Sequence, residues 1–239
     1  MSRSIVALAA LGAIAFVTPA AAQSAAPEAA ASPWGDWGVT LTAGTDNRSK
    51  MASKSAGDAY GLGLITWADN DGRFYAAAGG EGIQSSGGSD FETQAYFGYK
   101  GSLGGGFGID LRAAYKYQTD SVAGYDDDAF EFTANLSRNL GPLKGRLQVQ
   151  YSPDGTGSTE AWTYVEARLA RDFTRNLNGS VALGRREQDN SLDYTGWNAG
   201  VTYKIVNNVA LDVRWYDTDG PQTNPTYEDA LVATLTTTF

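Results

Sequence analysis

The sequence contains no cysteine and no histidine among its 239 residues. Without cysteine the chain can form no disulfide, no thiolate nucleophile and no Cys-type zinc site. Without histidine, Ser-His-Asp hydrolysis, His-ligated metals and the commonest general base near neutral pH are excluded. Acidic and glycine-rich stretches occur, but none has the spacing of a glycosidase, calcium or phosphate-binding motif. We therefore expect no enzymatic activity, no cofactor and no bound metal.

Positive charge and long apolar runs are also scarce. Lys and Arg number 18 against 27 Asp and Glu, giving a net charge of -9, and this balance argues against nucleic-acid binding. The apolar run at residues 5–17 is shorter than the roughly 20 residues that a membrane-spanning helix needs. It lies between Arg3 and an Ala-Ala-Ala cleavage site, which predicts a Sec signal peptide over residues 1–22. Residues 23–36 are rich in Ala, Ser and Pro, and we predict a disordered lead-in there.

Glycine and aromatic residues are abundant, with 29 glycines and 12% aromatics. From residue 37 onward, segments of about ten residues alternate between apolar and polar side chains, as strands do when their two faces meet different surroundings. The predicted strands are 37–47, 58–68, 73–83, 91–100, 107–118, 128–138, 145–152, 161–171, 177–187, 194–204, 208–217 and 228–239. Short connections rich in Gly or Asn alternate with longer polar ones. This pattern predicts an all-β chain folded as a transmembrane, antiparallel, up-and-down β-barrel of about 12 strands over residues 37–239.

Strand alternation alone does not say which face is buried. In a soluble β-sandwich the apolar face packs on a second sheet, whereas in a membrane barrel it contacts lipid and the charged face lines the lumen. The signal peptide, the alternating loop lengths and the aromatic C-terminus at Phe239 favour the barrel. The last strand has Leu231, Leu235 and Phe239 on one face and mostly threonines on the other. We expect the outer-membrane assembly machinery to recognise this strand.

If the apolar face contacts lipid, charged residues of both signs line the lumen. The predicted pore-lining residues are Glu92, Asp110, Arg112, Lys116, Glu131, Arg146, Glu166, Arg168, Lys204, Asp212 and Arg214. Such a lining favours small hydrophilic solutes and predicts weak ion selectivity. Strand register is expected to bring Arg146 and Arg168 together near the periplasmic end, beside Glu166, as a spot that attracts anions. The alternative is that these charges pair with one another and fill the barrel.

Aromatic residues near the predicted strand ends suit the girdles that membrane barrels place at the two lipid–water interfaces. Those singled out are Trp37, Trp67, Tyr99, Phe107, Trp162, Trp197, Tyr203 and Trp215. Ordinary β-propensity is the competing explanation for each of them taken singly.

Several short segments resemble the TorF family of proteobacterial porins. They are residues 46–49, 96–99, 151–154, 193–201 and 216–219, together with Phe239, and they span nearly the whole mature chain. The most specific are Tyr-Ser-Pro-Asp at 151–154 and Asp-Tyr-x-x-Trp-x-x-Gly-Val at 193–201. The first segment departs from the family, whose Asp-Tyr and Arg-Gly pairs are not intact around Asp46 and Arg48. The resemblance implies an outer-membrane barrel with a transport role and supplies no catalytic residues.

These observations predict a monomeric, porin-like channel in the outer membrane of a Gram-negative bacterium. Its expected partners are the lipid bilayer, the assembly machinery and the small hydrophilic solutes that diffuse through it. The alternative is a plugged structural or adhesive barrel whose extracellular loops bind a ligand.

Overall fold

The computed structural model describes residues 34–239, so the predicted signal peptide and most of the lead-in lie outside the described residues. Twelve strands form the wall of a barrel. They are β1 (Asp36–Gly44), β4 (Tyr60–Ala68), β5 (Phe74–Gly82), β6 (Phe91–Gly104), β7 (Phe107–Gln118), β8 (Asp128–Leu140), β9 (Leu143–Ser152), β10 (Trp162–Asp172), β11 (Leu177–Gln188), β12 (Tyr194–Val206), β13 (Val209–Thr218) and β14 (Ala230–Thr238). A small hairpin, β2 (Arg48–Ser49) with β3 (Ala52–Ser53), lies between β1 and β4.

Each strand of the wall pairs antiparallel with its neighbours, and the first strand pairs with the last. Thr40 lies opposite Thr238, and Val39 and Phe239 exchange backbone hydrogen bonds of 3.0 and 2.9 Å. Closure leaves the wall without an unpaired edge. The prediction of an all-β, antiparallel barrel of about 12 strands is confirmed. No helix of residues 34–239 is long and apolar enough to cross a membrane.

The predicted strands agree with the observed ones to within a few residues, and the largest shifts occur at glycine turns. We expected a loop over residues 101–106, but β6 continues through Gly104 and β7 begins at Phe107. Gly104, Gly105 and Gly106 all have positive φ angles, of 80°, 58° and 78°. Because glycine adopts this conformation without a steric penalty, the reversal needs fewer residues than the glycine content suggested. The short turns define one end of the barrel, the turn end, and the long connections define the loop end.

The barrel is apolar on its outer face and polar inside, the reverse of a soluble protein. Leu231, Leu183 and Ile65 on the wall are 65%, 59% and 58% exposed, whereas Glu81, Glu92 and Arg214 are at most 2% exposed. Exposed and buried side chains alternate along the strands, and on most of them the exposed set is mainly apolar and the buried set mainly polar or charged. An outer face of this kind requires apolar surroundings, because charged groups otherwise take the solvated side.

One of the predicted girdle residues lies inside the barrel. Trp162 is 3% exposed, whereas Trp37, Trp197 and Trp215 are exposed on the outer face. Trp162 shares its parity along β10 with Glu166 and Arg168, so its side chain points inward with theirs. Its assignment to the lipid interface was wrong. Because Trp162 lies an even number of residues from Glu166 and Arg168, the alternation along β10 already places it on the inward face.

Candidate functional site: the barrel interior and its inward-folded hairpin

The connection between β1 and β4 folds into the barrel. The sequence predicts a polar external loop at residues 48–57, but the β2–β3 hairpin occupies this stretch and residues 46–53 are all buried. The two residues at its tip, Lys50 and Met51, have positive φ angles of 51° and 74°. A two-residue hairpin turn requires this backbone, which costs a residue other than glycine about 1–3 kcal/mol. Contacts of both tip residues with the barrel wall offset that cost.

On one side, the hairpin is bound by carboxylates of β5 and β6. The Lys54 ammonium lies 2.6 Å from Oε1 of Glu81 and 2.8 Å from Oε1 of Glu92. The Asn47 side chain donates a hydrogen bond of 3.0 Å to the other oxygen of Glu81. Burial by itself would lower the pKa of Lys54, but the two carboxylates reverse this and raise its pKa above the ordinary value. Lys54 therefore keeps its charge across the neutral and mildly alkaline range.

On the other side, the tip of the hairpin contacts β12. The Tyr194 hydroxyl donates a hydrogen bond of 2.8 Å to the carbonyl of Lys50, and Nδ2 of Asn198 lies 2.9 Å from Sδ of Met51. A Cβ atom added to Gly196 would lie 2.7 Å from Cβ of Met51, so only glycine allows this approach. In the ring of twelve strands, β6 and β12 are six positions apart, which makes them diametrically opposite. The hairpin therefore crosses the full width of the barrel.

The hairpin also completes a buried network of alternating charges. Lys50 lies 3.3 Å from Glu131 and 4.2 Å from the centre of the Trp162 ring. Lys116 of the wall lies 2.9 Å from Glu92 and 3.6 Å from Glu131. Burial lowers the pKa of Lys50 to about 7, against the opposing attraction of Glu131. Three lysines and three glutamates thus lie in one connected network, and two of the lysines, Lys50 and Lys54, belong to the hairpin.

A second layer of charge lies nearer the turn end and contains arginines. Arg146 of β9 and Arg168 of β10 are direct register partners. Arg146 pairs with Glu166, and Arg168 donates a hydrogen bond of 2.6 Å to the Ser180 hydroxyl. Arg214 of β13 donates to the same hydroxyl at 3.0 Å. The wall formed by β9 to β13 therefore carries three neighbouring guanidinium groups.

All eleven predicted pore-lining residues lie on the inward-facing side of their strands. Glu92, Lys116 and Glu131 belong to the hairpin network, while Arg146, Glu166, Arg168, Asp212 and Arg214 belong to the arginine layer. Asp110 accepts a hydrogen bond from Tyr75, and Arg112 donates one to Thr133. Lys204 lies at the turn end of β12, apart from both groups. The sequence reasoning missed the hairpin itself and its contacts at Tyr194 and Gly196.

The docked state of the hairpin can be measured by thiol labelling, because the chain has no cysteine of its own. Met51 is 2% exposed, so Met51→Cys is expected to react slowly with a water-soluble maleimide. Adding Lys54→Met leaves Glu81 and Glu92 without their hairpin cation. Breaking a buried ion pair costs about 3 kcal/mol or more, so labelling should become about a hundredfold faster.

The control for this experiment is Lys144→Met in the same Met51→Cys background. Lys144 pairs with Asp172 at 2.6 Å on an exposed part of the turn end, and exposed pairs contribute little to stability. Its loss should leave the labelling rate unchanged. Fast labelling of Met51→Cys alone would show that the hairpin is not docked in solution.

Comparison with solved structures shows the same fold at low sequence identity. The NanC porin superposes with a TM-score of 0.59 at 7% identity, covering 84% of this chain and 98% of its own. The KdgM porin gives 0.57 at 9% identity, with the same coverage. The COG4313 outer membrane channel from Pseudomonas putida F1 gives 0.56 at 10% identity, covering 91% of this chain and all of its own. These similarities establish the fold.

Sequence comparison gives a family. No curated protein matches the chain. The Gcw_chp family, described as bacterial proteins of unknown function, matches residues 62–239, which include the whole wall except β1 and the first two residues of β4. The resemblance to the TorF family remains a prediction beside this match. The chain belongs to the Gcw_chp family.

Proposed function

We propose that this protein is a channel of the bacterial outer membrane, through which small hydrophilic solutes diffuse along a path that the inward-folded hairpin narrows. The observation that carries the proposal is the closed barrel with an apolar outer face and a charged interior. Such a wall satisfies its own backbone hydrogen bonds in lipid and offers polar groups to a solute inside.

The remaining parts of the proposal concern location and assembly. Residues 1–22 would direct export and be removed, with residues 23–36 as the lead-in. The turn end would face the periplasm and the loop end the outside, as in bacterial barrels generally. The last strand, ending at Phe239, would be read by the assembly machinery. The apolar outer face continues around the ring, which supports a monomer surrounded by lipid.

A plugged barrel is the second candidate, and the hairpin is the observation that favours it. The hairpin reaches both sides of the interior, where Lys54 pairs with Glu81 and Glu92 and the Lys50 carbonyl accepts a hydrogen bond from Tyr194. A barrel filled in this way would serve as a scaffold whose long loops, such as residues 119–127, bind something outside the cell. The two candidates predict different electrical behaviour.

Single-channel recording of the refolded mature chain in a planar bilayer tests the proposal. We expect discrete current steps that become smaller when the small electrolyte ions are exchanged for large ones. Larger ions should carry less current because the path beside the hairpin is expected to be only about as wide as a small molecule. Insertion without current, with the protein shown to be folded by its heat-modifiable migration, would favour the plugged barrel.

A further inference from the structure

The arginine layer has one more positive charge than its own carboxylates neutralise. Arg146 is paired with Glu166, and Arg214 is paired with Asp212 at 3.1 Å. Within residues 34–239, no carboxylate oxygen lies within 4.0 Å of the Arg168 guanidinium. Its neighbours are instead Arg146, its register partner, and Arg214, with which it shares Ser180.

Hydrogen-bond donors in the same layer also lack acceptors. The buried Nε atom of Arg146 has no hydrogen-bond partner. The Ser180 hydroxyl accepts bonds from Arg168 and Arg214, and arginine cannot accept a bond in return. The hydroxyl proton of Ser180 is therefore left to donate elsewhere. Arg146, Arg168 and the Ser180 hydroxyl thus present donors from one wall, and Arg214, whose own donors are engaged, adds positive charge beside them.

We propose that Arg146, Arg168, Arg214 and Ser180 form a binding site for the oxyanion group of a solute, either a carboxylate or a phosphate. The guanidinium group presents a planar fork of N–H donors that matches both groups. A single negative charge would balance the excess charge of Arg168 and accept the unpaired donors. The inference deepens the proposed channel by naming a class of solute, and it rests on that function for the route by which the solute arrives.

Within the site, Arg168 is the more accessible of the two arginines that share Ser180. Arg168 is half-buried, whereas Arg214 is 2% exposed and is fixed by Asp212, Asn198 and Ser180. Asn198 also contacts Met51 at the tip of the hairpin. A bound anion would therefore be connected to the hairpin tip through a chain of contacts, from Arg214 to Asn198 and from Asn198 to Met51.

Equilibrium binding to the folded protein in detergent tests the site without requiring conduction. Inorganic phosphate and malonate are the probes, and glucose is the neutral control. We expect both anions to bind, glucose not to bind, and Arg168→Gln to weaken anion binding about tenfold or more. Arg168→Lys, which keeps the charge but loses the fork, should be intermediate. Lys144→Gln, which removes a charge at the exposed rim, should bind as the unaltered protein does.

The outcomes separate this inference from the proposed channel. Binding of one probe alone would identify the oxyanion that the site accepts. Equal binding by Arg168→Gln and the unaltered protein, or no binding by either, would overturn the inference even if the barrel conducts. Binding that is lost in Arg168→Gln, in a barrel that passes no current, would uphold the site and reject the channel. Arg168→Gln relieves repulsion between guanidinium groups, so its heat-modifiable migration should be unchanged.

Discussion

Replacing residues 46–58 with an Asn-Gly turn is expected to raise the single-channel conductance several-fold. The replacement removes the hairpin that crosses the barrel from β6 to β12. Gly44 and Tyr60 are register partners, so Thr45 and Ala59 are placed to form the next pair and a two-residue turn can close it. Glu81 and Glu92 would lose their hairpin partners but gain water in the opened interior.

The control for the hairpin replacement changes an external loop and leaves the barrel interior intact. Residues 190–192 connect β11 to β12 and are exposed at the loop end, so changing them to glycine should leave the conductance as it is. If the hairpin replacement also conducts no better than the unaltered protein, the hairpin does not limit the path. Lys54→Met offers a second test with the chain length preserved. It should give intermittent large steps as the hairpin undocks.

Leu183→Arg is expected to destabilise the barrel by about 2–4 kcal/mol in lipid, the cost of an arginine near the bilayer midplane. Leu183 lies midway along β11 on the outer face and is 59% exposed. Leu140→Arg provides the matched control, since Leu140 is 50% exposed but lies at the turn end of β8. Near the interface the same substitution costs only about 0–1 kcal/mol.

Denaturant unfolding of both variants in phospholipid vesicles measures this difference. A clear loss for Leu183→Arg and little loss for Leu140→Arg would show that the apolar face is embedded in lipid. In a water-soluble barrel both substitutions would place a charge in water and neither should destabilise the protein. Equal, small effects would therefore contradict the membrane assignment as well as the channel.

The strands could be predicted because the alternation of apolar and polar side chains that marks a strand is contained within that strand's own sequence. A strand with lipid on one side and polar groups on the other must alternate, and the alternation is local in sequence. The same parity placed Glu92, Arg168 and Arg214 on the inward face. Pairing of Arg146 with Arg168 could also be anticipated from strand register, and the structure makes them direct partners.

The hairpin could not be predicted because its stability comes from distant residues. Asn47 contacts Glu81, 34 residues away, and Met51 contacts Asn198, 147 residues away. Seen locally, residues 46–58 are small and polar, as external loops are. Gly196 offered a signal, since a glycine within a strand can mark close approach of another backbone, but other inward-facing glycines, such as Gly184 and Gly200, accommodate side chains instead.

Two of the segments that resemble the TorF family lie close to the hairpin tip, Lys50 and Met51. Residues 46–49 belong to the hairpin and its approach, and residues 193–201 include Tyr194, Gly196 and Asn198, which hold its tip. Asp46 and Arg48, where the sequence departs from that family, are buried inside the barrel and do not form an external loop. Arg48 is 2% exposed and pairs with Asp46 there.

The hairpin also has a mechanical consequence. A ring of strands can flatten into an ellipse, because neighbouring strands rotate about their shared ladder over a wide range of twist. The hairpin contacts Glu92 on β6 through Lys54 and Tyr194 on β12 through the Lys50 carbonyl. It therefore resists both compression and extension of the barrel along the diameter that joins these two strands. We expect the width along this diameter to respond less to the lateral pressure of the surrounding lipid than the width at right angles to it.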